Sequence, residues 1–334
     1  MNASEILDAL KKRNFSPVYF FYGEEPFFID ELTGYMEKNV LDDASREFNQ
    51  TIVYGLDVTA RDVAYLSRRF PMMSDYQLVI VKEAQNIQNF DALIDYFDKP
   101  SETTILVINY KYRKLDKRKT LYKRLSKSKK VILFESSRIY ENKVPVWISE
   151  RAHILGHTIT PKSEMMLAEF LGTDLARINN ELNKLTINLQ PGQAITEDLI
   201  ERYIGISKDF NVFELQKALG RRDIFHALRI IQYFEANPKQ NPLQMVNVLL
   251  YAYFMKVLLY HQLKNENKNT IAAKLGVSPF FVDDYRIAVQ NYSPAKVKEI
   301  ISGIRELDLK SKGFGATDTT SYGPLKEWAF RVVS

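Results

Sequence analysis

Cysteine is absent from this chain of 334 residues. With it go disulfide scaffolding, thiolate zinc sites and a cysteine nucleophile. Histidine is scarce, with only His153, His157, His226 and His261. His153 and His157 alone have an i, i+4 spacing, and Gly156 between them ends a helix before the second ring can join the first. The histidines are therefore expected at the surface and not around a metal. Asp283 and Asp284 are adjacent carboxylates, but neighbours on a helix diverge and make no acid/base pair. Long uninterrupted apolar runs are also missing. The most apolar segment, Leu243 to Leu263, is broken by Asn247 and Lys256 and reads as a buried bundle helix, not a membrane span. The amino-terminal residues have the pattern of a short amphipathic helix, with Ile6, Leu7 and Leu10 on one face, and lack the apolar centre of a signal peptide. A soluble, cytoplasmic protein with no membrane partner and no cofactor is expected.

Apolar residues make up 46% of the chain, enough for packed cores, and the length suits two or three domains. Up to about residue 140, short apolar runs alternate with amphipathic stretches. Val18 to Tyr22, Thr51 to Tyr54, Leu78 to Val81, Ile105 to Ile108 and Val131 to Phe134 read as strands. Phe27 to Asn39 and Ala60 to Arg69 read as helices between them, so the pattern predicts a parallel α/β sheet. Beyond residue 140 the strand signals stop. Lys143 to Leu155, Ser163 to Gly172, Asp174 to Leu189 and Thr196 to Ile204 read as helices. Leu175, Ile178, Leu182 and Leu185 form one stripe in the third of these, with Asp174 placed to cap it. Asp209 to Asn211 reads as a joint, and further helices run from Val212 to the end.

The net charge of +5 is local. From Lys111 to Lys130, eleven of twenty residues are basic and only Asp116 is acidic; elsewhere acidic residues outnumber basic ones. Such a patch can neutralise phosphates and gain from counterion release, which makes Lys117, Arg118, Lys119, Lys123 and Arg124 candidates for DNA contact. The blander reading is a solvated helix face with Leu115, Leu121 and Leu125 turned inward.

A strand, a glycine and a helix near the start of an α/β domain mark the usual place of a phosphate-binding loop. Here the segment runs Gly23-Glu24-Glu25-Pro26-Phe27-Phe28-Ile29-Asp30. A working loop ends in glycine, lysine and a hydroxyl residue; Phe28, Ile29 and Asp30 stand there instead. After the strand Leu78 to Val81, Lys82 precedes Glu83 where an ATPase would carry an aspartate for magnesium. Hydrolysis of ATP is not expected, and no other residue set forms a catalytic site.

Taken in order, several motifs resemble the delta subunit of bacterial DNA polymerase III clamp loaders. They are Phe20-Phe21-Tyr22-Gly23-Glu24-Glu25, the run Thr173 to Leu185, Asn211-Val212-Phe213-Glu214-Leu215 with Ala218-Leu219, Ala272 to Val282, and Leu307 to Gly313. The resemblance implies an AAA+-like α/β domain over residues 1–140, a helical lid over 141–209 and a helical collar for subunit assembly over 210–334. It implies as partners the beta sliding clamp, the ATPase and delta-prime subunits, and primed DNA. Any polymerase activity would belong to the holoenzyme and not to this chain. By position, the family's clamp-binding element falls on Phe70-Pro71-Met72-Met73, where methionines stand in for the more usual leucine or aromatic residues. Two other readings stay open: an active AAA+ ATPase, and a stand-alone nucleic-acid-binding protein. The second would use Ile271 to Ala288 as a helix-turn-helix, although its second helix opens on Pro279-Phe280-Phe281, poor in groups that read bases.

Overall fold

The computed structural model describes residues 1–314 and 322–334. They divide into two compact units, Met1–Ile139 and Tyr140–Ser334.

The first unit runs α1 (Ala3–Lys11), β1 (Val18–Gly23), α2 (Pro26–Asn39), α3 (Asp43–Asn49), β2 (Gln50–Tyr54), α4 (Ala60–Leu66), β3 (Gln77–Lys82), α5 (Ile94–Asp98), β4 (Thr104–Lys111), α6 (Thr120–Lys127) and β5 (Val131–Ser136). The strands form one sheet in the order β2-β3-β4-β1-β5, and every pairing is parallel. This is the predicted α/β class. A parallel sheet needs cover on both faces, so the middles of its strands are largely apolar. Alternation then divides them between two cores. Val18, Phe20, Tyr22, Val79, Val81, Leu106 and Ile108 pack with Val63 of α4, Phe97 of α5 and Leu125 of α6. Tyr19, Phe21, Leu78, Ile80, Ile105 and Val107 pack with Leu10 of α1 and Ile29, Leu32 and Met36 of α2. Local signals set the helix starts: Asn2 with Glu5, and Thr59 with Asp62, each form a reciprocal capping box.

The second unit is mainly helical: α7 (Val144–Ile154), β6 (Thr158–Ile159), α8 (Pro161–Leu171), α9 (Leu175–Ile187), β7 (Ala194–Ile195), α10 (Glu197–Ile204), α11 (Val212–Gly220), α12 (Ile224–Ala236), α13 (Leu243–Tyr260), α14 (Lys268–Leu275), α15 (Val282–Asn291), α16 (Pro294–Ser311) and α17 (Gly323–Val333). Two expectations are corrected here. Strands do not stop at residue 140, because β6 and β7 pair in parallel; at two residues each they are too short to leave an alternating pattern. His157 is not at the surface. The helix ends before Gly156, and the ring is buried with Nδ1 3.0 Å from the Gln193 carbonyl oxygen.

The stripe Leu175, Ile178, Leu182 and Leu185 is buried as expected, and the Asp174 carboxylate accepts from the Arg177 N–H. In α13, Val246, Leu250, Phe254 and Val257 enter the helical core beside Ala288 of α15, Ile300 and Ile304 of α16, and Trp328 of α17. The helix is long and apolar enough to cross a membrane by length and composition, but this face is buried inside the unit. Gly276 ends α14 in the left-handed conformation, and Phe281, before α15, packs edge-on against Phe213 at 4.8 Å. The start of the supposed second reading helix is thus used for packing. Phe254 sits among Tyr253, Tyr292 and Trp328, with centroid separations of 5.1, 6.2 and 6.1 Å. Phe254→Ala is expected to destabilise the full chain by about 3–5 kcal/mol through lost burial and the cavity it leaves, as read from urea melts.

Candidate functional site

The two ends of the parallel sheet differ in character. At its amino end, α4 stops at Leu66, three residues short of the Arg69 expected from the sequence. Its last carbonyls are taken by side chains from the sheet. Gln77 Nε2 is directed at the carbonyl oxygens of Leu66 and Arg69 and at Thr104 Oγ1. Thr104 Oγ1 donates to the Ser67 carbonyl at 2.8 Å, and the Tyr96 hydroxyl donates to the same oxygen at 3.1 Å. Gln77, Thr104, Ser67 and Tyr96 are all buried, so each unmade bond here would leave a desolvated polar group. Pro71 then disfavours helix at Phe70 and holds the turn.

Asn49, the last residue of α3, brackets Met72 from both sides. Its Nδ2 donates to the Met72 carbonyl at 2.9 Å, and its Oδ1 accepts from the Met72 N–H at 2.6 Å. Met73 follows with a φ of 53°, in the left-handed region that bulky residues seldom enter. The result is a fixed backbone with its apolar side chains turned out. Phe70 is 84% exposed, Met72 is 59% exposed and Met73 is fully exposed. Neither Phe70 nor either methionine is packed beneath β3. Phe48, one residue before the bracket, and Tyr65 on α4 are exposed too.

Sequence reasoning located this loop but missed its supports. A faint signal was available: Gln77 and Thr104 are polar residues at the entrances of otherwise apolar strands.

At the carboxyl end of the sheet, β1 lies between β4 and β5, the place where open α/β sheets hold ligands. Gly23 has a φ of 142°, and a Cβ there would lie 1.9 Å from the Ser136 carbonyl oxygen, so only glycine fits. Ser136 Oγ donates to the Glu25 carbonyl at 2.6 Å, and the Glu25 N–H donates back to the Ser136 carbonyl at 3.2 Å. The Glu25 carboxylate caps α2 by accepting from the Phe27 N–H. Phe28 packs partly buried against the α1–α2 core, and Ile29 is wholly buried in it. Asp30 pairs with Lys111 at 2.5 Å, and Glu24 pairs with Lys114 at 2.9 Å. Lys82 pairs with Glu37 of α2 at 3.3 Å. Glu83 has a φ of 57°, and its carboxylate accepts from Gln85 Nε2 at 2.6 Å. Protein carboxylates thus sit beside the cations of this end of the sheet.

Leu115, Leu121 and Leu125 of the basic stretch are buried, as the solvated-face reading expects. Lys117, Arg118 and Lys119 lie in the turn before α6, and Lys123 and Arg124 lie on the helix. Several of these charges have partners: Lys117 with Glu135 at 3.3 Å, Arg118 with Asp116 at 3.0 Å and Arg124 with Asp98 at 2.9 Å. The Arg118 guanidinium donates to both Asp116 carboxylate oxygens and holds that carboxyl down to about 2. Exposed pairs of this kind are weak and exchangeable in water, so a phosphate could displace the carboxylates.

The fold and these two sheet ends define a protein with a parallel α/β unit and a helical unit, in which the loop after β1 is held by its own side chains. The family model for the delta subunit of DNA polymerase III matches residues 19–135, and the model for the carboxyl-terminal domain of the same family matches residues 209–321. DNA polymerase III subunit delta of Bacillus subtilis (strain 168) is 26% identical over 321 residues, covering 92% of this chain and 91% of the relative. The solved structure of the Bacillus subtilis DNA clamp loader delta protein matches with a TM-score of 0.55 at 24% identity and covers 99% of both chains. The chain belongs to the DNA polymerase III delta-subunit family.

The bracket can be tested directly. Asn49→Ala removes both partners of the Met72 backbone and should cost about 1–2 kcal/mol of stability. Amide exchange at Met72 should accelerate by about tenfold or more while exchange within β1 and β4 stays slow.

Proposed function

We propose that this chain is the clamp-gripping member of the loader: it binds and opens the beta sliding clamp for loading onto primed DNA and does not hydrolyse ATP. The observation that carries this reading is the Phe70–Met73 loop, whose apolar side chains face water on a backbone fixed by Asn49, Gln77 and Thr104. Exposed apolar groups on a pre-ordered loop bind well because little entropy remains to be lost. Burying each methionine in a clamp pocket contributes about 1.5–3 kcal/mol before ordering costs. Opening would follow only to the extent that the loop binds the opened clamp more tightly than the closed one.

The ion pairs Asp30–Lys111, Glu24–Lys114 and Lys82–Glu37 support the absence of ATP chemistry, since a triphosphate would meet carboxylates where it needs cations. In this reading residues 1–140 form the clamp-contact domain, 141–209 a lid and 210–334 the collar that joins the ATPase and delta-prime subunits in the cytoplasm. The basic stretch flanks the DNA path in the assembled loader.

Binding to the sliding clamp of the same organism, measured without nucleotide, tests the central point. The wild-type chain should bind, and Met72→Ser/Met73→Ser should weaken binding by about a hundredfold or more, since two buried anchors are lost. Binding that survives the double change would move the anchor elsewhere. Failure of the wild type to bind would sink the reading.

For DNA, Lys117→Gln/Arg118→Gln/Lys119→Gln should leave clamp affinity intact. It should lower DNA-dependent loading and flatten its salt dependence by up to about three counterions. Unchanged loading would remove the basic stretch from the DNA path.

A further inference from the structure

Tyr112 follows β4 at the carboxyl end of the sheet, and its φ of 62° lies in the left-handed region that bulky residues seldom enter. Both of its neighbours are tied down. The Lys111 N–H donates to Gln85 Oε1 at 3.0 Å, and the buried Lys111 side chain pairs with Asp30. On the other side, Arg113 pairs with Gly23 in an antiparallel bridge. Between these two fixed flanks the Tyr112 ring is left 60% exposed. A strained backbone that presents an aromatic ring to water is kept where the ring has a use.

The ring stands in the basic stretch. Six of the nine residues from Lys111 to Lys119 are Lys or Arg, and Asp116 is the one carboxylate among them. Arg113 and Lys119 are exposed and have no ion-pair partner among the described residues. Lys114 and Lys117 are exposed too, beside Glu24 and Glu135. Pairs at this exposure contribute little, so both cations remain open to a phosphate. Lys117 Nζ also lies 5.9 Å from the Tyr122 ring centroid, which keeps it near β5. Tyr110 of β4 and Glu135 of β5 stand level on either side of Tyr22, two strand spacings or about 10 Å apart. Arg113 at the end of β4 and Lys117 beside β5 therefore bracket the end of β1. That span suits two or three phosphates at roughly 3.4 Å per nucleotide.

We propose that Tyr112 is a stacking platform for an unpaired base of single-stranded DNA, with Arg113, Lys114 and Lys117 on the phosphates of the adjoining nucleotides. A flat ring held in water beside open cations matches both parts of a nucleotide, the face of the base and the charge of the backbone. A duplex keeps its base faces inside its own stack and gives the ring nothing to cover. An acidic peptide would meet the cations and leave the ring in water. The proposal rests on the reading of the basic stretch as flanking the DNA path, and adds which part of primed DNA is touched there and by which side chain.

The test is fluorescence anisotropy of a labelled oligothymidylate titrated with the full chain at low salt, beside a duplex of the same length, with clamp binding measured in parallel. Tyr112→Ser should weaken single-strand binding by about tenfold, leave duplex binding within about twofold and leave the salt dependence unchanged. Tyr112→Phe should bind as the wild type does, because the ring and not the hydroxyl stacks. Tyr112→Gly relieves the left-handed backbone, so it should melt at or above the wild-type temperature and still lose about tenfold in affinity. Arg113→Gln should weaken single-strand binding and reduce its salt slope by about 0.7. Single-strand affinity for Tyr112→Ser within about twofold of wild type would overturn the platform, and lowered loader assembly in that case would assign the ring to a protein neighbour. Equal losses on single strand and duplex would also overturn it, by making Tyr112 a support of its loop. Tighter binding of an RNA strand of matching sequence would overturn the choice of DNA, and displacement by free mononucleotide at the same nucleotide concentration would overturn the choice of a strand. A wild type that binds the clamp and no single strand would overturn this proposal and leave the loader reading standing. A wild type that binds neither would overturn both.

Discussion

A parallel sheet covered by helices on both faces is open to solvent only at its edges and at the ends of its strands, and the first unit of this protein is organised by that constraint. Both faces of the central strands are spent on packing, with Phe20 and Ile108 in one core and Phe21 and Val107 in the other. That leaves the loops at the two ends as the places for a site. The carboxyl end, where such sheets hold nucleotides, is filled: Gly23 touches the Ser136 backbone, and Asp30 and Glu24 sit against Lys111 and Lys114. The amino end carries the opposite arrangement, with polar groups inside and apolar ones outside.

That inversion at the amino end has a clear physical logic. Leaving Phe70, Met72 and Met73 in water is unfavourable, and an unrestrained loop would fold them back against the sheet. The buried amides of Asn49 and Gln77 prevent this by fixing the backbone instead of the side chains. Stability is given up at the surface and recovered beneath it, as the proposed binding role requires. In the proposed reading, this geometry leaves the element ready before a partner arrives.

The helical unit repeats the theme on a longer element. One side of α13 is deeply buried through Leu250, Phe254 and Val257, while Val248, Tyr251, Met255 and Leu259 face outward.

Much of the fold was legible because it is written in local periodicity. The five apolar runs became the five strands, and Leu175 to Leu185 became a buried stripe capped by Asp174. The position of the exposed loop also followed from the sequence, through Pro71 and its place before β3. What holds that loop did not, because Asn49 reaches Met72 across 23 residues and Gln77 reaches Thr104 across 27. Neither link leaves a trace in local spacing. The same reason hid the two-residue pair β6–β7, the burial of His157 against Gln193, and the uncovered face of α13. Sequence by itself determined which segments are strands and helices, since these depend on residue type at short range. Only the tertiary structure decided which apolar side chains face water, because exposure depends on what the distant parts of the chain bring alongside.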